Sequence, residues 1–430
     1  MELVSALTKG METVSALMKD MESISVLMEA LDLSSDPKEF FDGSIKVFEE
    51  FMDLFKDKGQ AEVASIAQAE LESFKSTMLD IAVTGETGAG KSSFINALRG
   101  LTAEDDGAAP TGVTEMTTEP TVYPYPNHPN VRLWDLPGIG APDFQPNTYL
   151  RQVKFKSYDF FVIIASERFK CNHVALAWEI ERMGKRFYFV RSKVDEDLRN
   201  EERDHPRTFS QESVLERLRM DCRKHLQKIG MSNPEIFLLS SCEFTKYDAP
   251  GLVKTLQDDL QGLQRLAFLL SLPNLSAEII EEKKAALQKL IWLISLASAL
   301  VNVIPIPRLS VACDISILLG SMIAFYKHFG LDEGSLANLA RQTGKPIAEL
   351  KAVIRSPGAK EINRDFVIKM LLKEGVPTLT ATLPALGQLL TAGISFLTTY
   401  FMLSKFLSEV AEDARRVRKT ALKEDGKKRK

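Results

Sequence analysis

A glycine-rich run that ends in lysine and serine is the segment of this sequence best suited to chemistry. Residues 85–92 read GETGAGKS and follow a short apolar run. Glycines let a backbone wrap a phosphate with its N–H groups pointing inward, a lysine places positive charge on the oxygens, and a serine hydroxyl can ligate Mg²⁺. The spacing therefore predicts a phosphate-binding loop between a strand and a helix. The residues expected to bind a nucleotide there are Gly85, Gly88, Ala89, Gly90, Lys91, Ser92 and Ser93.

Two later segments indicate which metal and which base this loop would serve. Asp135 and Gly138 belong to the segment DLPG, where the carboxylate can hold Mg²⁺ through water and the Gly138 N–H can reach a γ-phosphate. Residues 192–195 read SKVD. A carboxylate at Asp195 can accept hydrogen bonds from N1–H and N2–H₂ of guanine, which adenine does not offer, and the Lys193 stem can lie along the base. The order of these segments favours a guanine nucleotide.

Two loops complete the predicted site. Ser240 and Ser241 end an apolar run, where backbone amides can meet the guanine carbonyl, while the next residue, Cys242, is expected to be a small packing residue. A long polar loop between residues 100 and 123 contains several threonines, one of which could close over Mg²⁺ and the γ-phosphate as a switch. Thr111 is the first choice, and Thr117 is the alternative that the sequence leaves open.

The residue after the DLPG segment bears on catalysis. Many nucleotide hydrolases with such a segment place a glutamine there to orient the attacking water, but this chain has Ile139. An aliphatic side chain cannot orient water, so either hydrolysis is slow or the γ-phosphate, Glu115 or a second subunit supplies that function. His128 and His173 are expected to be surface residues rather than bases.

The pattern of apolar runs predicts an α/β domain with a mostly parallel, doubly wound sheet, followed by helices alone. We expect an N-terminal helical segment at 1–76, the α/β domain at 77–258 and a C-terminal helical domain at 259–430. The predicted strands are 78–83, 131–136, 158–165, 186–191 and 235–240, buried on both faces. The predicted C-terminal helices are 278–301, 312–329, 332–344, 346–355 and 361–375.

The two ends of the chain have distinct compositions. A decapeptide repeat over residues 1–30 predicts an amphipathic helix, and residues 415–430 carry a net charge of +7, which favours either a solvated end or attraction to anionic lipid. Residues 375–404 lack charge, and a buried helical hairpin with a break near Leu383-Pro384 is preferred over membrane insertion. The overall net charge of −4 offers no global basic field for nucleic acid, and four scattered cysteines suit a reducing compartment.

In sequence, the chain resembles the interferon-inducible, immunity-related GTPases of the type with a lysine in GKS. The resemblance rests on GETGAGKSSFINALRG (85–100), GAAPTGVTEMTT (107–118), WDLPGIG (134–140), YDFFVIIAS (158–166) and FYFVRSKVD (187–195), together with shorter motifs up to residue 414. It implies a Ras-like P-loop GTPase domain inserted in a helical domain built from both ends of the chain. Ser192 and Ser241-Cys242 depart from the more usual threonine or asparagine and Asn-Lys, so the base affinity is expected to differ.

The resemblance also implies an activity and a set of partners. We expect a dynamin-like protein that binds GTP or GDP with Mg²⁺, self-associates through its nucleotide face, hydrolyses GTP slowly and acts on intracellular membranes in cell-autonomous defence. Thr111 and Gly112 would form the switch, with Lys91, Ser92, Thr111 and Glu115 in catalytic roles and Ser92, Thr111 and Asp135 at the metal. The alternative is a nucleotide-gated switch for unknown regulatory proteins with little hydrolysis. Either protein is expected to be cytoplasmic with peripheral membrane association.

Overall fold

The computed structural model of this chain describes residues 60–112, 119–139, 145–228, 231, 234–301, 309–357, 361–373 and 388–422. The strands of its sheet are β1 (Leu79–Gly85), β2 (Thr121–Tyr125), β3 (His128–Asp135), β4 (Phe160–Ala165), β5 (Arg186–Arg191) and β6 (Ile236–Leu238). They lie in the order β2-β3-β1-β4-β5-β6. β2 is antiparallel to β3, and the other neighbouring pairs are parallel. The mostly parallel sheet predicted from the sequence is therefore confirmed.

The central strands form because their apolar runs can be covered on both faces. Every residue of β1 and β4 is buried, which a parallel sheet covered by helices on each side requires. Phe161, Ile163 and Phe189 pack in one core cluster with Leu176 and Ile180 of the neighbouring helix.

β2 is the strand that the apolar pattern did not predict. Its sequence is TVYPY, and Val122 is 40% exposed although it lies within a strand. Pro124 removes one hydrogen-bond donor, which an edge strand tolerates and a central strand does not. A half-exposed edge strand with a proline gives a weak apolar signal, so the apolar pattern predicted five of the six strands in the described sheet and missed β2.

Helices connect the strands and flank the sheet. These helices are α2 (Lys91–Leu98), α3 (Pro146–Gln152), α4 (Cys171–Arg182), α5 (Val194–Asp204), α6 (Gln211–Lys228), α7 (Ala249–Asp259) and α8 (Gly262–Ser271), and α1 (Gln60–Ser76) precedes β1 in the chain. Beyond residue 276 the described residues form helices alone. These are α9 (Ala277–Val301), α10 (Leu309–His328), α11 (Glu333–Thr343), α12 (Ile347–Ala352), α13 (Arg364–Lys373) and α14 (Gln388–Ala421). The predicted helices of this part all have counterparts here.

The described residues divide into two compact units. One consists of residues 74–280 and 333–348 and contains the sheet, and the other consists of 60–73, 281–332 and 349–422. The second unit draws helices from both ends of the described chain, in agreement with the predicted fold class. The sequence-based bounds of 77–258 lie inside the first unit, and the three-part division itself stays a prediction.

Several predicted features lie outside the described residues. They include the decapeptide repeat at 1–30, the proposed hairpin break near Leu383-Pro384, residues 423–430 of the basic tail, and the loop residues Glu115 and Thr117. Among the helices that are described, none combines the length and the apolarity that crossing a membrane requires.

Candidate functional site

The sheet register brings the predicted nucleotide-binding segments together at the carboxyl ends of the parallel strands. Val83 of β1 pairs with Asp135 at the end of β3, and Gly85 at the end of β1 pairs with Ile164 near the end of β4. Because the strands are parallel, their carboxyl ends meet there, which is where ligands bind in open α/β sheets. Residues 85–92 and 135–139 leave the sheet at this edge.

The first glycine of the loop, Gly85, packs against the backbone of β4. The space there does not accommodate a side chain. A Cβ built on Gly85 would lie 2.1 Å from the carbonyl oxygen of Ile164. Gly90, the residue before α2, has φ +90°, a left-handed conformation that favours glycine. Both glycines are therefore needed for the backbone path between strand and helix, as the spacing predicted.

Lys91 closes over this loop. Its side chain is buried, and Nζ donates to the carbonyl oxygens of Gly85 at 3.3 Å and Glu86 at 3.2 Å. The Glu86 carboxylate in turn pairs with Lys170 Nζ at 2.8 Å. The ammonium is thus held against the backbone of the loop, where it can add positive charge to a bound phosphate.

Ser92 and Asp135 provide hard oxygen atoms side by side. Ser92 Oγ donates to Asp135 Oδ2 at 2.6 Å, and the Asp135 side chain is buried at the end of β3. A hydroxyl and one carboxylate fit Mg²⁺, which prefers oxygen ligands and takes the rest from phosphates and water. Within the described ranges, no cluster of three or more His, Cys, Asp or Glu residues could hold a metal ion by itself. The pair therefore suits an ion that arrives with a phosphate ligand.

The segment after Asp135 is anchored by backbone and side-chain hydrogen bonds. Ile139 N donates to Gly85 O at 3.2 Å. Tyr149 OH donates to Pro137 O at 3.0 Å and also lies 2.9 Å from Thr84 Oγ1. Burial raises the pKa of Tyr149 above its usual range, so its hydroxyl keeps the proton that it donates.

Ile139 belongs to the hydrophobic core. Its side chain has no exposed surface and packs in the cluster that contains Leu136, Tyr149 and Leu150. The sequence predicted that this residue cannot orient water because it is aliphatic. The structure adds that the side chain is directed into the protein.

The polar loop after α2, which the sequence predicts to be a switch, is anchored to that helix. Asn96 Nδ2 donates to Ala109 O at 2.8 Å, and Ala109 N donates to Asn96 Oδ1 at 2.7 Å. Thr111, two residues after Ala109, and the following Gly112 are exposed. Thr111 is therefore close in sequence to the anchored residue Ala109. Its contact with Mg²⁺ stays a prediction.

The predicted base-binding segments also lie together. Lys193 has φ +59° and precedes α5, and Val194 N donates to Leu239 O at 3.2 Å, which ties the segment to the end of β6. Ser192 Oγ donates to Ala89 O at 2.6 Å, linking the base-binding segment to the phosphate-binding loop. Asp195, in the first turn of α5, is half-buried.

The loop after β6 lies near Asp195, whose charge acts on Cys242 and Tyr247 of that loop. Ser240 is fully buried and its Oγ accepts a hydrogen bond from Glu243 N at 3.2 Å, while Ser241 is half-buried. Cys242 is exposed, so its expected role as a packing residue was wrong. Partial burial and the Asp195 carboxylate raise the pKa of its thiol. Cys242 therefore lies at the rim of the predicted base-binding region.

Sequence reasoning missed two residues of this region and misjudged the exposure of two histidines. His173 is not a surface residue, because it is 1% exposed, and its burial lowers its pKa to about 4. His128 is half-buried. Asn96 was missed, although a polar residue on the buried side of the short helix after the loop is a detectable signal. Arg199 was also missed, although its position four residues after Asp195 on a helix predicts a contact.

Comparisons with known proteins agree with this geometry. The family described as Interferon-inducible GTPase (IIGP) matches residues 44–421. Rat Interferon-inducible GTPase 5 is 44% identical over 370 residues, covering 85% of this chain and 80% of that protein. Mouse Interferon-inducible GTPase 1 is 42% identical over 392 residues, covering 90% of this chain and 93% of that protein. Since the family match spans most of the chain and these relatives are this similar, the chain belongs to the interferon-inducible GTPase family.

Proposed function

We propose that this chain binds GTP with Mg²⁺ at residues 85–92 and hydrolyses it to GDP and phosphate. The observation that carries the proposal is the hydrogen bond of 2.6 Å between Ser92 Oγ and Asp135 Oδ2. It joins the phosphate-binding loop to the end of β3 at the edge where Lys91 is also held. Bound Mg²⁺ would neutralise the phosphate oxygens and favour departure of the GDP leaving group.

The residues of the chain have separate tasks in this reaction. Lys91 would stabilise negative charge on the β- and γ-phosphate oxygens, and the N–H groups of the glycine loop would orient the phosphates. Ser92 and Asp135 would hold the metal, and Thr111 would close over the γ-phosphate. Asp195 would select guanine, and the backbone of Ser240 and Ser241 would meet the guanine carbonyl.

The attacking water has no partner at Ile139, whose side chain is directed into the core. We therefore propose that an isolated chain hydrolyses GTP slowly and that self-association across the nucleotide face completes the site. The γ-phosphate itself or Glu115 is the alternative source of a proton acceptor. In this proposal a second copy of the chain is the principal partner.

The proposed biological setting is supported by the names of relatives in the family. Relatives are named for interferon induction, and we propose a role in innate defence with peripheral contact to intracellular membranes. The membrane contact is proposed from the resemblance and from the basic residues of the 415–430 segment.

The test is GTP hydrolysis by purified protein over a hundredfold range of protein concentration, with Lys91→Ala as the control. A specific activity that rises with concentration supports completion of the site by a second copy. A measurable but concentration-independent activity would contradict self-association and leave hydrolysis intact. Absence of hydrolysis at every concentration would overturn the enzyme assignment.

A second candidate is a nucleotide-gated switch with little turnover. The buried Ile139 favours it, because a chain without a means of orienting water retains GTP for long periods. In that case GTP binding would control contacts with other proteins. Micromolar GTP binding together with a near-zero rate of hydrolysis at every protein concentration would identify this function.

A further inference from the structure

Asp195, the carboxylate proposed to bind guanine, accepts a hydrogen bond from Arg199 on the same helix. Arg199 Nη2 donates to Asp195 Oδ2 at 2.6 Å, and Arg199 Nε donates to the backbone carbonyl of Asp195 at 3.2 Å. The Arg199 side chain is 69% exposed, whereas that of Asp195 is 13% exposed. A cation therefore lies against the group that base recognition requires.

We propose that Arg199 competes with the guanine base for Asp195 and thereby sets how strongly the chain distinguishes guanine from other purines. The proposal rests on the proposed function, since Asp195 must be the carboxylate that binds the base. Guanine presents N1–H and N2–H₂, and a carboxylate accepts both through its two oxygens. With Arg199 on Oδ2, the base must displace the arginine or share that oxygen, and either event offsets part of the binding free energy.

An ion pair between β5 and α5 differs from the Asp195–Arg199 pair in its burial and shows why Arg199 is displaceable. Arg191 Nη2 donates to Asp197 Oδ2 at 2.7 Å, and the Arg191 side chain is only 9% exposed. Removing Asp197 from that arginine would leave a buried charge without compensation, which is costly. Arg199 is mostly in water, where a released guanidinium is hydrated at little cost. The Asp195–Arg199 pair is therefore suited to exchange, and the Asp197–Arg191 pair is suited to hold the helix in place.

A second carboxylate lies close enough to interact with a displaced Arg199. Glu243 accepts hydrogen bonds from Lys246 Nζ at 2.7 Å and from Tyr247 OH at 2.8 Å. These bonds lower the pKa of Glu243, and the charge of Arg199 adds to the effect. Because Lys246 already pairs with Glu243, this carboxylate offers only a partly neutralised charge to Arg199 once Arg199 leaves Asp195.

The test compares GDP with inosine diphosphate, whose base retains N1–H but lacks the 2-amino group. Dissociation constants are measured by calorimetry for the full chain, for Arg199→Gln and for a matched control, Arg203→Gln. Arg203 is an exposed arginine of the same helix that pairs with Asp204. Asp195→Ala is measured in parallel, because it tests the base site itself.

We expect Arg199→Gln to bind GDP about threefold more tightly, because the substitution removes an exposed ion pair that competes with the base for Asp195. The preference for GDP over inosine diphosphate should rise by a similar factor, because both carboxylate oxygens become available to guanine. Arg203→Gln should match the unmodified chain. Unchanged or weaker GDP binding by Arg199→Gln would overturn the competition, and weaker binding would make Arg199 a positioning residue. If Asp195→Ala keeps the full preference for GDP, the assignment of the base site fails, and the role of Arg199 fails with it.

Discussion

Asn96 and Ala109 exchange two hydrogen bonds, Asn96 Nδ2 to Ala109 O at 2.8 Å and Ala109 N to Asn96 Oδ1 at 2.7 Å. Both residues are buried, and Asn96 is on α2, the helix that begins with Lys91. The pair thus connects the phosphate-binding helix to the polar loop two residues before Thr111. If the loop rearranges when GTP binds, we expect Ala109 to stay attached to Asn96 while the residues after it move.

We expect Asn96→Ala to reduce both stability and the discrimination between GTP and GDP. The substitution leaves the buried N–H and C=O of Ala109 without the partners seen here, which lowers the free energy of unfolding by about 1–3 kcal/mol. Affinity for a non-hydrolysable GTP analogue should fall more than affinity for GDP, because Thr111 is proposed to contact the γ-phosphate. Chemical denaturation and calorimetry measure the two effects. Asn200→Ala, an exposed asparagine on α5, is the control and should change neither.

Lys91→Ala should weaken nucleotide binding strongly. A charge-assisted hydrogen bond contributes about 1.5–3 kcal/mol, so affinity for GDP should fall roughly tenfold to a hundredfold. Titration calorimetry with GDP measures the loss. Lys228→Ala, an exposed lysine near the end of α6, should bind GDP like the unmodified chain. An Lys91→Ala protein that keeps full affinity would remove the lysine from the site.

Ile139→Gln should not restore fast hydrolysis. The Ile139 side chain is directed into the core, so the introduced amide would be buried there and would lower the free energy of unfolding by about 1–3 kcal/mol. Ile139→Val, which keeps the apolar character, should cost only about 0.5–1.5 kcal/mol. Thermal unfolding and single-turnover hydrolysis separate the effects. A marked acceleration by the glutamine would show that this segment turns toward the nucleotide.

His173 should make stability dependent on pH in the acid range. Burial lowers its pKa from the ordinary 6.5 to about 4, with the charges of Glu86 and Lys170 acting in opposite directions. The unfolded chain therefore binds more protons between these values, and stability is lost as the pH falls from 6.5 toward 4. The contribution is at most roughly 3 kcal/mol.

His173→Asn tests this pH dependence, because asparagine can accept the hydrogen bond from Lys170 N but does not titrate. Its free energy of unfolding should fall less steeply than that of the unmodified chain between pH 6.5 and pH 4. His205→Asn, at an exposed histidine, should keep the original slope. Equal slopes for all three proteins would exclude His173 as the source.

The sequence by itself determined the order of the chemical segments and most of the elements that carry them. GETGAGKS, DLPG and SKVD follow apolar runs, and the structure has β1, β3 and β5 where those runs lie. This succeeded because glycine conformations and continuous apolar runs are local properties of the chain. The edge strand β2 was missed, because its partial exposure and its proline give no local signal.

Only the tertiary structure decided which side chains face one another. Cys242 was expected to be packed but is exposed, and His173 was expected on the surface but is buried. Both expectations failed because burial depends on neighbours that are distant in sequence. The Asn96–Ala109 pair joins residues 13 apart, and Ser92 meets Asp135 across 43 residues. The register of β1 against β3 creates the second contact, and no property of either segment alone specifies that register.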